Sequence, residues 1–110
     1  MFCSGSLIRT YFSVNGFDFC VDTAVIMDAR GKFDFETMLF RTKHWDADAE
    51  TATVFEDSFD ELHALTFEEA KNNHKRMVNR YTVPFCAVPS ADDYSGIDRV
   101  IKELSADLKG

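Results

Sequence analysis

The residue best placed for chemistry is His74. Across residues 66–81, Phe67, Ala70, His74, Met77, Val78 and Tyr81 recur at helical spacing and share an arc of roughly 100°, the width of a core-facing stripe. A histidine in the middle of such a stripe is desolvated, which favours the neutral imidazole used in base catalysis or metal ligation. No second group with ligand spacing lies on the same helical face. The sequence therefore predicts a structural histidine, with one ring nitrogen on a backbone carbonyl. It should pack on the strand face that carries Phe17, Phe19, Phe33 and Phe35.

Other reactive side chains are poorly supported. His44-Trp45-Asp46-Ala47-Asp48 offers nitrogen and oxygen donors, but it lacks the glycine with which calcium loops make their turn. His63 lies between Leu62 and Ala64 with no readable partner. Cys20 alternates with Asp18 and Asp22, which disfavours a thiolate, and Cys86 reads as a small buried residue. Asp34 and Glu36 are placed to pair with Asp18 or Asp22 across a sheet. Neither a glycine-rich phosphate loop nor a Gly-x-Ser-x-Gly elbow occurs. No catalytic residue, cofactor or metal is expected.

Charge is the other conspicuous feature. The net charge is −7, and no Lys or Arg occurs between Lys43 and Lys71. That interval holds Asp46, Asp48, Glu50, Glu56, Asp57, Asp60, Glu61, Glu68 and Glu69, nine of the chain's nineteen carboxylates. Such a surface does not grip a phosphate backbone, so direct nucleic-acid binding is not expected. Trp45, Asp46, Asp48, Glu50, Glu56, Asp57, Asp60 and Glu61 form the candidate protein-binding region. Its carboxylates either solubilise the domain or imitate duplex DNA, which carries about one charge per 1.7 Å of axis.

The elements that must position these groups follow from patterning. Residues 7–14 form a strand ending at Asn15-Gly16, a strong hairpin signal. The next strand alternates Phe17, Phe19, Val21, Thr23, Val25 and Met27 with Asp18, Cys20, Asp22, Ala24, Ile26 and Asp28, an apolar face against one that is solvated and acidic for its first half. After Asp28-Ala29-Arg30-Gly31, residues 33–41 make a third strand, with Phe33, Phe35, Thr37 and Leu39 on one face. Residues 51–55 suit a short fourth strand, and 57–65 read equally as turn or helix. Thr66 and Glu69 make a capping box for the first helix. Prolines at 84 and 89 predict an extended stretch over 83–89. Ser95 with Asp98 opens a second helix, with Ile97, Val100, Ile101, Leu104 and Leu108 as its stripe. The expected fold is a single α+β domain over residues 1–110, an antiparallel three- to four-stranded meander covered by two α-helices.

At 110 residues with eleven phenylalanines the chain can bury a real core without staples. Three widely spaced cysteines argue against a disulfide framework or a structural zinc site and for a reducing compartment. The first residues lack the features of a signal peptide, and the longest uncharged run, 81–91, is too short to span a bilayer. A cytoplasmic chain without membrane association is expected.

Two segments together resemble a group of small proteins of unknown function from tailed bacteriophages and prophages. Phe35-Glu36-Thr37-Met38-Leu39-Phe40 is similar to a strand motif of that group. Thr66-Phe67-Glu68-Glu69-Ala70, followed by His74 and Met77-Val78, resembles its helix motif, and residues 23–27 fit the preceding strand. The likeness covers about residues 20–81, and Asn73 stands where the group often has glycine. It implies a phage-derived accessory protein acting in the bacterial cytoplasm. The function expected is non-enzymatic binding of a host or phage protein. The alternatives are an acidic nucleic-acid mimic that inhibits a host nuclease or defence protein, and a small hydrolase-like enzyme using His74.

Overall fold

The computed structural model describes residues 3–27, 29–43 and 54–109. Four strands, β1 (Cys3–Val14), β2 (Phe17–Met27), β3 (Phe33–Lys43) and β4 (Val54–Ala64), form one antiparallel sheet in the order β1-β2-β3-β4. Two helices follow, α1 (Phe67–Thr82) and α2 (Ser95–Lys109). The expected α+β meander under two helices is the observed fold.

Local chemistry explains most of it. Asn15 and Gly16 take positive φ of 52° and 83°, the geometry a two-residue hairpin between right-twisted strands requires. In β1 the register shifts between Ser6 and Ile8, and this bulge lets the neighbours Leu7 and Ile8 both be buried. Thr66 caps α1: its Oγ1 accepts the Glu69 N–H at 3.2 Å.

The fourth strand corrects the sequence reading. It runs through 57–64, where turn and helix were the competing readings, and of the expected strand over 51–55 only Val54 and Phe55 fall within it. Register shifts between Leu39 and Phe40 and again between Phe40 and Thr42 break the strict alternation. Phe59 is left as an extra residue between the pairs Leu39↔Asp60 and Phe40↔Ser58. A bulged strand has no clean period of two, which conceals it from pattern reading.

The segment after α1 is a second correction. Val83–Phe85 forms a 3-10 turn instead of an extended run. Val83 keeps right-handed helical angles, and Pro84 sits at the start of the turn, where a missing N–H costs nothing. Cys86 then takes φ 53° and is exposed, not buried as its apolar neighbours suggested. Beyond it the chain runs along the outer edge of β1. Ser90 N–H donates to Tyr11 O at 2.8 Å, and Arg9 and Asp93 exchange backbone bonds at 2.9 and 2.8 Å. This strap covers one sheet edge that would otherwise offer unpaired amides. The second cap also differs from expectation. Ser95 is the first helical residue, and Asp93 Oδ1 accepts its N–H at 2.9 Å.

Both helices lie on one sheet face. One apolar cluster contains Phe12, Val21, Leu39, Met77 and Val78, and the other Leu7, Ile8, Val25 and Val100. Ile101, expected in the buried stripe of α2, is 55% exposed, and the side chains of Leu104 and Leu108 lie outside the described residues. The opposite sheet face is not uniformly wet. Cys20 and Asp22 are buried, and Asp22 accepts from Ser6 Oγ at 2.7 Å and Arg9 Nε at 3.0 Å.

Helix α2 is seated on β1 through glycine. A Cβ at Gly96 would collide with the Ser6 carbonyl oxygen, and the backbone there cannot yield as a flexible side chain would. Replacing Gly96 with Ala should force α2 off β1 and lower stability by about 1–3 kcal/mol, the usual cost of overpacking, read as a fall in the denaturant midpoint. Unchanged stability would show that the helix seats loosely.

Candidate functional site

His74 is the centre of the only polar layer among the described core residues. The layer takes one threonine from each of β1, β2 and β3, each flanked by apolar neighbours two residues either way: Thr10 between Ile8 and Phe12, Thr23 between Val21 and Val25, Thr37 between Phe35 and Leu39. The three threonines and His74 are essentially inaccessible, at 0–1% exposure. His74 Nε2 lies 2.8 Å from Thr10 Oγ1, and Nδ1 lies 2.8 Å from Thr23 Oγ1. Thr23 and Thr37 hydroxyls are 2.8 Å apart, and Thr10 Oγ1 donates to Asp92 Oδ1 at 2.5 Å.

Thr10 has one hydroxyl proton and gives it to the Asp92 carboxylate, so toward His74 it can only accept and Nε2 carries a proton. Burial favours the neutral ring, in which Nδ1 accepts from Thr23 and Thr23 in turn accepts from Thr37. The result is a neutral Nε2–H tautomer with both nitrogens engaged. Desolvation pushes the His74 pKa below its ordinary value, against an opposing pull from Asp92 and Asp22. The expected burial is thus observed. The expected partners are not: the ring meets threonine hydroxyls rather than a backbone carbonyl, and Phe17 and Phe33 lie far enough out to be 48% and 42% exposed.

The described carboxylates of the acidic window are divided between the two sheet faces. Trp45, Asp46, Asp48 and Glu50 lie outside the described residues, as does the side chain of Asp57. Asp60 faces α1, accepting from the Tyr81 hydroxyl at 2.7 Å and Arg80 Nη1 at 2.9 Å. The Tyr81 hydroxyl foremost, with the Glu61 N–H and Arg80, holds its carboxyl below the usual range. Glu56 binds Lys43 at 2.9 Å, with Arg41 at 3.8 Å. Glu61 points to the opposite sheet face and meets His63 Nε2 at 3.0 Å.

Two features escaped the sequence reading. The first is an aromatic cavity of about 330 Å³ where β1 and β2 join, walled by Phe12, Val14, Phe17, Phe19, Leu39, Phe59, Tyr81 and Phe85, with Arg41 at its margin. The Arg41 guanidinium lies 4.4 Å from the Phe17 ring centroid, and Phe19 meets Phe59 edge-on at 6.3 Å. Phe17, Phe59 and Phe85 remain about half exposed or more. The abundance of phenylalanine was the available signal, but placing Phe59 required knowledge of the β4 bulge.

The second is the surroundings of His63. Its Nδ1 lies 3.2 Å from Asp34 Oδ2 and 3.9 Å from Glu36 Oε1. Asp34 and Glu36 thus pair toward β4, not toward Asp18 or Asp22 on β2. Desolvation pulls the His63 pKa down, but Asp34, Glu61 and Glu36 together outweigh it and raise the net value. Cys20 and Cys86 are free thiols. Burial foremost, then the charge of Asp22, raises the Cys20 pKa to about 12, so it is inert.

No helix of the described residues is long and apolar enough to cross a membrane. No family model matches the chain, and no curated protein or solved structure is significantly similar to it.

Replacing His74 with Gln should cost about 1–3 kcal/mol, because the amide cannot serve both threonines at the same span. The same variant tests the pH dependence. The folded pKa lies below the unfolded value of about 6.5, so as pH falls past that value the unfolded chain binds a proton the folded one refuses. Stability from this group is complete above about pH 6.5 and lost on acidification, and the His74→Gln variant should lack that component when denaturation is compared from pH 8 to pH 5. Unchanged stability with loss of biological activity would make His74 a site residue.

Proposed function

We propose that this chain is a non-enzymatic, phage-derived accessory factor that binds a host or phage protein in the bacterial cytoplasm. The observation that carries the protein-binding reading is the aromatic cavity. Exposed apolar clusters of this kind are unusual on a chain with no partner, and a bulky apolar side chain of a partner is the natural occupant. Phage origin rests on the resemblance of residues 20–81, and cytoplasmic action on the wide spacing of the three cysteines and the free thiols of Cys20 and Cys86.

The two other readings have less support. A hydrolase would need an accessible imidazole, and His74 is sealed among threonines. A DNA mimic needs carboxylates held outward in an array. Glu56, Asp60 and Glu61 are instead each engaged by a cation or hydroxyl of the same chain. The region around Trp45 remains the alternative docking surface of the same protein-binding reading.

Affinity purification from expressing or infected bacterial cells would identify the partner. Phe59→Ala should then weaken binding by roughly tenfold or more, as loss of a buried aromatic anchor does. Its thermal stability should stay near that of the parent, since Phe59 is already 62% exposed. Loss of binding on Trp45→Ala but not Phe59→Ala would move the docking surface to the acidic region. A steep decline of binding with salt, together with competition by duplex DNA, would overturn the adaptor reading in favour of the mimic.

A further inference from the structure

On the sheet face away from the helices, neighbouring strands assemble an imidazole and three carboxylates. Glu36 and His63 are register partners across β3 and β4, and Asp34 and Glu61 lie two residues along their respective strands on the same face. Asp34, Glu36 and His63 each offer one donor atom, all within 4.8 Å of one another. A divalent ion bound at about 2.1 Å by nitrogen and oxygen sets ligand-to-ligand edges of about 3.4 Å in a tetrahedral site. The two edges that end on His63 Nδ1, 3.2 and 3.9 Å, already bracket that length. The remaining edge, between the Asp34 and Glu36 oxygens, is at most 4.8 Å.

Two further observations point the same way. Glu36 has a half-buried carboxylate that accepts no hydrogen bond from a described residue, its ion pair to His63 being long at 3.9 Å. Beyond the ring, His63 Nε2 lies 3.0 Å from Glu61 Oε1. A metal-bound imidazole commonly donates its other N–H to a carboxylate in this way, which fixes the tautomer and leaves the first nitrogen free to bind.

We propose that Asp34, Glu36 and His63 form a binding site for one divalent first-row transition-metal ion, with Glu61 orienting the imidazole. A mixed nitrogen and carboxylate set favours zinc and its neighbours over magnesium or calcium, which prefer oxygen alone. Three protein ligands leave room for water, and the bound ion would tie β4 to β3.

Titration calorimetry of the chelator-treated, reduced full-length protein with Zn²⁺ tests this. One equivalent should bind, with affinity unchanged in Cys86→Ser. Asp34→Asn, Glu36→Gln and His63→Ala should each weaken binding by more than roughly tenfold. Glu61→Gln should weaken it by about 10- to 100-fold without touching the ion. All four side chains are surface-accessible, so circular dichroism should confirm that the variants fold. Nuclear magnetic resonance with Co²⁺ should broaden signals of residues 34, 36 and 63 first. Zinc binding that survives His63→Ala places the ion elsewhere, and no binding up to about millimolar Zn²⁺ makes the cluster a protonated imidazole between carboxylates. Either result overturns the site.

Discussion

The structure depends on satisfying a single buried imidazole. His74 enters the sheet from α1, and its two nitrogens require a donor and an acceptor on opposite sides, 2.8 Å away each. An unsatisfied polar group at that depth would cost on the order of 1–3 kcal/mol, comparable with a large part of a small domain's net stability. The requirement fixes what stands opposite. Thr10, Thr23 and Thr37 must share one layer across three strands, and a one-residue slip of any strand would point its threonine to the other face. Apolar clusters above and below tolerate interchange of similar side chains. The polar layer between them does not, so it is the element that selects one register from several of comparable burial.

Much of this architecture is legible from sequence, for a physical reason: its determinants are local. The helix over 67–82 declares itself by period and by the Thr66 cap, and the first hairpin by Asn15-Gly16. The strand β2 alternates without interruption. What is not legible is set by chain segments far apart. Phe59 is displaced by a bulge that only the pairing with β3 reveals, and the segment around it reads as turn or helix in isolation. Val83–Phe85 continues helically because α1 delivers it in that geometry, which outweighs the proline's local bias. The burial of His74 follows from the wheel, whereas its threonine partners lie 51 and 64 positions away. Likewise His63 has no sequence neighbour that announces Asp34, 29 positions earlier.

The two sheet faces divide the chemistry. On the helical face, the described polar groups include the His74 layer and Asp60 where it meets Tyr81 and Arg80, set among the apolar clusters and the aromatic cavity. On the other face, charge is held in compact groups, Arg9 with Asp22 at one strand pair and His63 with its carboxylates at the next. The acidity conspicuous in the sequence is therefore distributed between faces by strand alternation. Asp60 and Glu61, adjacent in sequence, serve opposite sides of the sheet.

The strap along β1 has a consequence for biosynthesis. Strands β1 and β2 can pair once residue 27 has emerged from the ribosome, but the amides of Arg9 and Tyr11 on the outer edge wait for Ser90 and Asp93. At about 5–20 residues per second, the ribosome takes several seconds to produce that intervening length. During that interval the nascent sheet presents an open rail of donors and acceptors to neighbouring chains on the same message. The last third of the polypeptide thus acts, in effect, as its own chaperone for the first.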